Sequence, residues 1–328
     1  MSAALILLGY AGVLTLAGPR LLAGAGWVAR APKLAVIAWQ ALTTAVVVST
    51  VLAGFALLVP TVRVSAGLAD LLRACIMTLR EQYATPGGAA IAGLGATLAL
   101  GTLARLAWCL TASLLTTVRQ RGAHHDALTV IAIPSAYLGT VVVEHSDPAV
   151  YCLPGRHRRI VITTGALAVL DDAQLHAALA HERAHLDQRH HLVLAFSSGL
   201  ATAFGRVALF TRAHDETTRL VELLADDVAA RTTTRLTLAE ALLNLTGAPS
   251  PQPALAAGGS TAAARVRRLL GPHRPLGRGR TAATATAVTL MVALPLLGLA
   301  TPALATGHLR SCPPDTSAAA PANTGTAT

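Results

Sequence analysis

The residues best equipped for chemistry lie in one short run, Ala180-His181-Glu182-Arg183-Ala184-His185. In a helix, neighbours four apart share a face, so the imidazoles of His181 and His185 can converge on one ion. Zinc suits such a pair, because a catalytic site uses three nitrogen or oxygen ligands and keeps one position for water. Glu182, beside the first ligand, can then take a proton from that water. With twelve histidines and six glutamates in the chain, composition alone would produce this pattern on the order of once in a hundred such sequences. The run therefore needs a partner.

A third ligand is expected, and the best acidic candidate lies in a second amphipathic stretch, Arg219-Leu220-Val221-Glu222-Leu223-Leu224-Ala225-Asp226-Asp227. Glu222 and Asp226 are four apart and share a helical face. Glu222 would bind the metal, and Asp226 would accept the free N–H of a ligand histidine. The expected complement is one Zn2+ per chain. His176, His190, His191 and His214 are further candidates as ligands or as donors to a developing oxyanion, although such histidines are more often structural.

Stepping out from the site, short runs rich in Val, Ile and Thr at 128–133, 140–144 and 159–163 read as strands. Helical signals follow. Asp171 or Asp172 can cap a helix through His185, and another helix is expected over about 216–231. Strands followed by helices predict a compact α+β domain. Residues 247–260, rich in Pro, Gly, Ala and Ser, read as a loop. An extended substrate could lie as an added strand beside Arg159, Ile160, Val161, Ile162 and Thr163.

The rest of the chain is apolar: 53% of residues are hydrophobic and 13% charged, against roughly a quarter charged in a soluble domain. Four blocks, about 3–18, 34–60, 89–115 and 282–306, approach the roughly 20 residues that a membrane-crossing helix needs. The first has no Lys or Arg before Arg20, so it reads as a retained span and not as a secretory signal. The predicted fold class is thus an α-helical membrane protein with four transmembrane helices and a compact α+β domain that carries the zinc site.

Orientation follows the excess of Lys and Arg beside cytoplasmic helix ends. Arg119 and Arg121 after the third block, and Arg265, Arg267, Arg268, Arg274, Arg278 and Arg280 before the fourth, predict that residues 116–281 are cytoplasmic. Both chain ends would then lie outside, and residues 307–328 would be a disordered tail. The net charge of +10 is read as topology and contact with membrane lipid rather than nucleic-acid binding. An outer amphipathic helix is expected over 64–82, and a fifth apolar run, 192–210, is expected not to span. A crossing there would separate Glu222 from His181 and His185. On this topology Cys75 and Cys312 share the oxidising side, where a disulfide between them is chemically allowed, whereas Cys109 and Cys152 would be free thiols.

The motif pair His181-Glu-Arg-Ala-His185 and Arg219-x-x-Glu222-x-x-Ala225-Asp226 resembles the gluzincin metallopeptidases of families M48 and M56. Tyr151-Cys-Leu-Pro-Gly155, Arg159-Ile-Val-Ile-Thr163 and Gly165-Ala-Leu167 also resemble their approach to the active helix. With four membrane helices, the resemblance is nearer to M56, the family of the β-lactam-sensing receptors BlaR and MecR. Those receptors carry a penicillin-binding sensor after the last membrane helix, and here only residues 307–328 follow. The resemblance implies regulated endoproteolysis, with a penicillinase-repressor-type transcriptional repressor as a candidate substrate and no direct β-lactam sensing. Two rival readings are an M48-like quality-control protease and a non-proteolytic signalling protein with structural zinc. Glu182 speaks against the second, since a closed structural site needs no base.

Overall fold

The computed structural model describes residues 2–58, 80, 84, 86–131, 133–134, 139–155, 158–246, 256–272 and 274–307. The expected helix at 64–82, apart from Arg80, together with Cys75, Cys312 and the tail beyond Gly307, lies outside the described residues.

Among the described residues, four helices are long and apolar enough to cross a membrane. They are α1 (Ser2–Ala23), α2 (Pro32–Leu58), the Gly88–Thr116 part of α3 (Gly88–Ile131), and the Arg278–Leu297 part of α10 (Arg278–Gly307). α2 is the central one: Trp39 and Ala35 are fully buried, while Leu5, Ile6, Leu94 and Trp108 on the outer helices are well exposed. Small residues let α2 and α3 touch. A Cβ on Gly54 would stand 2.7 Å from the Ala99 nitrogen and the Gly95 oxygen, the close backbone approach that small residues give apolar helices. The Tyr10 hydroxyl of α1 donates to the Met291 carbonyl of α10 at 2.8 Å, and Arg30, after α1, lines one cleft with Arg274, before α10, so the two helices run antiparallel. Tyr10 lies thirteen residues before Ala23 and Met291 thirteen after Arg278, so those two ends are level with one another.

The sheet has four strands in the order β1-β2-β4-β3: β1 (Ile133–Pro134), β2 (Thr140–Val143), β3 (Val150–Leu153) and β4 (Arg159–Thr163). β2 and β4 are parallel; the other pairs are antiparallel. Two expectations need correction here. Residues 128–131 belong to the end of α3, because that helix continues past its apolar part, and only Ile133–Pro134 is strand. Strand β4 pairs along its length with both β2 and β3. It therefore has no open edge at Arg159, Ile160, Val161, Ile162 and Thr163 for a substrate strand.

Thr163 caps the short helix α4 (Thr164–Val169). Asp171 then caps α5 (Asp172–Asp187) in a reciprocal box with Gln174, satisfying two N–H groups that a helix start leaves without partners. Leu175 and Leu179 of α5 pack on Ile160 and Ile162 of the sheet. Two helices follow as a hairpin, α6 (His190–Phe204) and α7 (Ala208–Ala229), turning at residues 205–207. The expected apolar run 192–210 is thus split between them. α7 begins eight residues earlier than its polar sequence suggested, because Leu209, Phe210 and Ala213 pack with Trp39, Leu42, Val46 and Val47 of α2.

The hairpin lies along the apolar helices. Gln40 of α2 donates to the Thr217 hydroxyl at 3.0 Å, and Arg105 of α3 donates through Nε to the carbonyl of Ala203, in the last turn of α6. α8 (Arg235–Thr246) and α9 (Ala256–Leu270) close the domain. The expected loop at 247–260 is therefore too long by its last five residues, which are helical; 247–255 lie outside the described residues. Val266 and Leu269 bury the inner face of α9 against Ala229 and Leu238.

Candidate metal centre

Two helices from opposite sides of the hairpin bring the polar groups together. α5 presents His181 and His185 one turn apart, and α7 returns through the hairpin to present Glu222 and, one turn on, Asp226. Nε2 of His181 and Nε2 of His185 are 3.1 Å apart. Glu222 stands 3.5 Å from His181 Nε2 through one oxygen and 3.6 Å from His185 Nε2 through the other. Donors about 2.05 Å from a tetrahedral zinc would lie about 3.3 Å from one another. The spacing therefore fits zinc without rearrangement of the helices, and these three residues form a group able to hold a metal ion.

Their surroundings have the polarity such an ion needs. Asp226 is fully buried, and its Oδ1 lies 3.1 Å from Nδ1 of His181. Accepting that N–H leaves Nε2 with a free lone pair facing the centre. Burial pulls the His181 pKa down, but hydrogen bonds to Asp226 and Glu222 outweigh it and raise the value to about 9. A divalent ion takes the place of the proton that these carboxylates favour. Burial lowers His185 to about 4, which keeps its imidazole neutral and able to ligate. Glu222 and Asp226 are both held near 2: burial opposes ionisation in each, and the His181 hydrogen bond and Arg265 prevail.

Arg265, expected among the membrane-flanking arginines, is instead carried by α9 into the site. Its Nε and one terminal nitrogen grip Asp226 at 2.9 and 2.6 Å, and its other terminal nitrogen pairs with Glu222 at 2.9 Å. The signal was available in the spacing of Arg265, Val266 and Leu269, which places an arginine beside an apolar helical face. Glu182, Glu222 and Asp226 face one guanidinium, so two negative charges remain for a divalent cation to neutralise.

Glu182 is half-buried beside the ligands, and burial raises its pKa. Cys152 of β3 lies close to it, and burial followed by the Glu182 charge pushes that thiol up to about 12. Cys152 thus stays a neutral thiol beside the carboxylate, the free thiol expected. His190 is buried with its Nδ1 3.2 Å from Nδ1 of His185. His214 instead meets the Ser197 hydroxyl at 2.9 Å, and His176 is exposed.

Residues 117–273, which span these elements, match the model of Peptidase family M48. That segment, a little under half of the chain, is similar to peptidase domains of the M48 type. It resembles part of a protein described as "Protease HtpX homolog" from Acidiphilium cryptum (strain JF-5), with 35% identity over 81 residues, 23% of this chain. The chain spans only 28% of that relative's length. No solved structure matches the chain. Peptidases of the M48 family are zinc metalloproteases, and the His181, His185 and Glu222 group of this domain is of the kind that binds such a metal. The matched family supports the broader resemblance to M48-type membrane metallopeptidases; the M56 receptor-like reading rests on the sequence motifs alone.

Proposed function

We propose that the chain is a membrane-anchored zinc endopeptidase that cleaves a cytoplasmic or membrane-proximal protein. The observation that carries this reading is the convergence of His181, His185 and Glu222 at zinc-ligand spacing with Glu182 alongside. His181, His185 and Glu222 would hold the ion, and Asp226 and Arg265 would orient them. When bound, the ion supplies Lewis acidity toward a water and a peptide carbonyl. Glu182 takes the proton of the attacking water and returns it to the leaving nitrogen, a task suited to a carboxylate whose pKa burial has raised. Glu222 is about a third exposed, so the centre opens to solvent on its side, where substrate can enter. A substrate strand would add to the outer edge of β3 in place of β4, because β3 is the outermost strand on that side among the described residues and Cys152 brings it against Glu182.

Four crossings, with residues 116–281 in the cytoplasm and both ends outside, are the topology we favour. It is supported by Arg20, Arg30, Lys33, Arg278 and Arg280 gathering at the level ends of α1, α2 and α10. Glu182→Gln should keep one zinc per chain and lose at least about a hundredfold in proteolysis, whereas His185→Ala should lose the metal. Zinc content and cleavage measured together in detergent test both, and a cleaving Glu182→Gln protein would remove the assigned base.

The matched family favours a quality-control role with many substrates, while the sequence motifs favour a regulatory one with a repressor-type substrate. Cells carrying active or Glu182→Gln protein distinguish these: one altered fragment points to regulation, and many point to quality control.

A further inference from the structure

A second site lies away from the metal, where the ends of the apolar helices meet the domain. A cleft of about 210 Å³ is lined by Gly26, Ala29, Arg30, Arg235, Arg268, Pro272 and Arg274. It sits between the turn joining α1 to α2 and the segment leading into α10, at the level shared by Ala23, Pro32 and Arg278. Its floor is ordered. Arg268 pairs with Asp227 at 2.7 Å and donates to the Ala29 carbonyl at 3.1 Å, while Arg235 holds the carbonyls of Arg268 and Leu269 at 2.9 and 3.0 Å. Arg235 stands 3.9 Å from Asp227. One partly buried carboxylate therefore serves two guanidiniums. Arg30 and Arg274 are exposed at the rim, and neither has an acidic partner among the described residues.

Among the described residues, four guanidiniums face one carboxylate, an excess of positive charge around a small cleft, which is the chemistry that binds a phosphate ester. Gly26, Ala29 and Pro272 contribute no bulky side chain, so an oxygen-rich group can reach the floor. In a chain crossing the membrane four times, this level is that of the lipid headgroups on the basic side. We propose that the cleft binds the phosphate of an anionic glycerophospholipid, clasping the turn between α1 and α2 to α9. This rests on the four-crossing reading and is independent of the peptidase reading.

The test uses the full-length protein in neutral detergent, with dioctanoyl phosphatidylglycerol, dioctanoyl phosphatidylcholine and inorganic phosphate as probes and the melting temperature as readout. Phosphatidylglycerol should raise it by on the order of 5 °C at saturation, and phosphatidylcholine should not. The shift should vanish in Arg30→Ala/Arg274→Ala and persist in Arg278→Ala/Arg280→Ala, which removes equal charge outside the cleft. If the first double variant does not purify, Arg274→Gln alone carries the test, with the titration midpoint weakened about tenfold. The same arginine-dependent shift with inorganic phosphate would overturn the lipid as the source while keeping the anion site. A shift with phosphatidylcholine, or equal shifts in both double variants, would overturn the site.

Discussion

Each histidine of the candidate metal centre is held from behind by a different kind of group. For His181 it is the buried carboxylate of Asp226; for His185 it is another imidazole. One tautomer satisfies the second chain. His185 donates from Nδ1 to Nδ1 of His190, and His190 donates from Nε2 to the Gln188 side-chain oxygen 3.4 Å away. Arg189, between α5 and α6, takes a left-handed conformation with φ 51°, which costs on the order of 1 kcal/mol and turns the chain so that His190 meets His185. Replacing His190 with Phe keeps the ring and removes the acceptor, so zinc affinity should fall roughly 10–100-fold. His190→Asn restores an acceptor near the same position and should recover most of that loss. Chelator competition reads both, and an unaltered affinity in the Phe variant would show that His185 does not depend on its neighbour. The ligands themselves were legible in the sequence because a helix fixes the 181–185 and 222–226 spacings locally. His190, Cys152 and Arg265 were not, since a turn, a strand and a distant helix bring them in.

At the scale of elements, α9 and the α6–α7 hairpin show where periodicity served and where it failed. The cap at Asp171 and the strand at 159–163 are encoded in a few adjacent residues and could be read directly. The start of α9 could not, because its Ala, Gly and Ser residues carry no apolar stripe until Val266, and tertiary packing decides the rest. The consequence is testable through Arg265, which is largely buried on a fully buried Asp226. Arg265→Ala leaves that carboxylate without its strongest partner, and loss of one member of such a buried pair costs about 3–5 kcal/mol. Thermal unfolding should show the drop, and Arg265→Lys should recover only part of it because a single ammonium cannot grip both carboxylates. The hairpin has its own clasp. Arg105 caps a carbonyl in the last turn of α6, where the helix dipole favours a positive charge. Arg105→Leu should open the turn at 205–207 to protease faster than wild type, while an unchanged cleavage rate would mean the apolar packing of α6 and α7 suffices.

Across the whole molecule, one apolar core joins α2 to the helix that carries Glu222: Trp39, Leu42 and Val46 of α2 pack in the same cluster as Leu209, Phe210, Leu220 and Leu223 of α7. Glu222, a candidate metal ligand, lies between the last two of these. Sequence reading divided the chain into a membrane part and a peptidase domain because hydropathy falls sharply after the third apolar block. It could not show that α7 turns its apolar face to α2 and its acidic face to α5. A helix shared in this way cannot lose its metal ligand geometry without disturbing the core on its other side. Stripping the metal from the full-length protein with a chelator should therefore lower the midpoint of a single unfolding transition. It should also change the fluorescence of Trp39 in a Trp27→Phe/Trp108→Phe background, although Trp39 touches no ligand. Two separate transitions, only one of them sensitive to metal, would instead mean that the bundle and the peptidase domain fold as independent units despite their shared core.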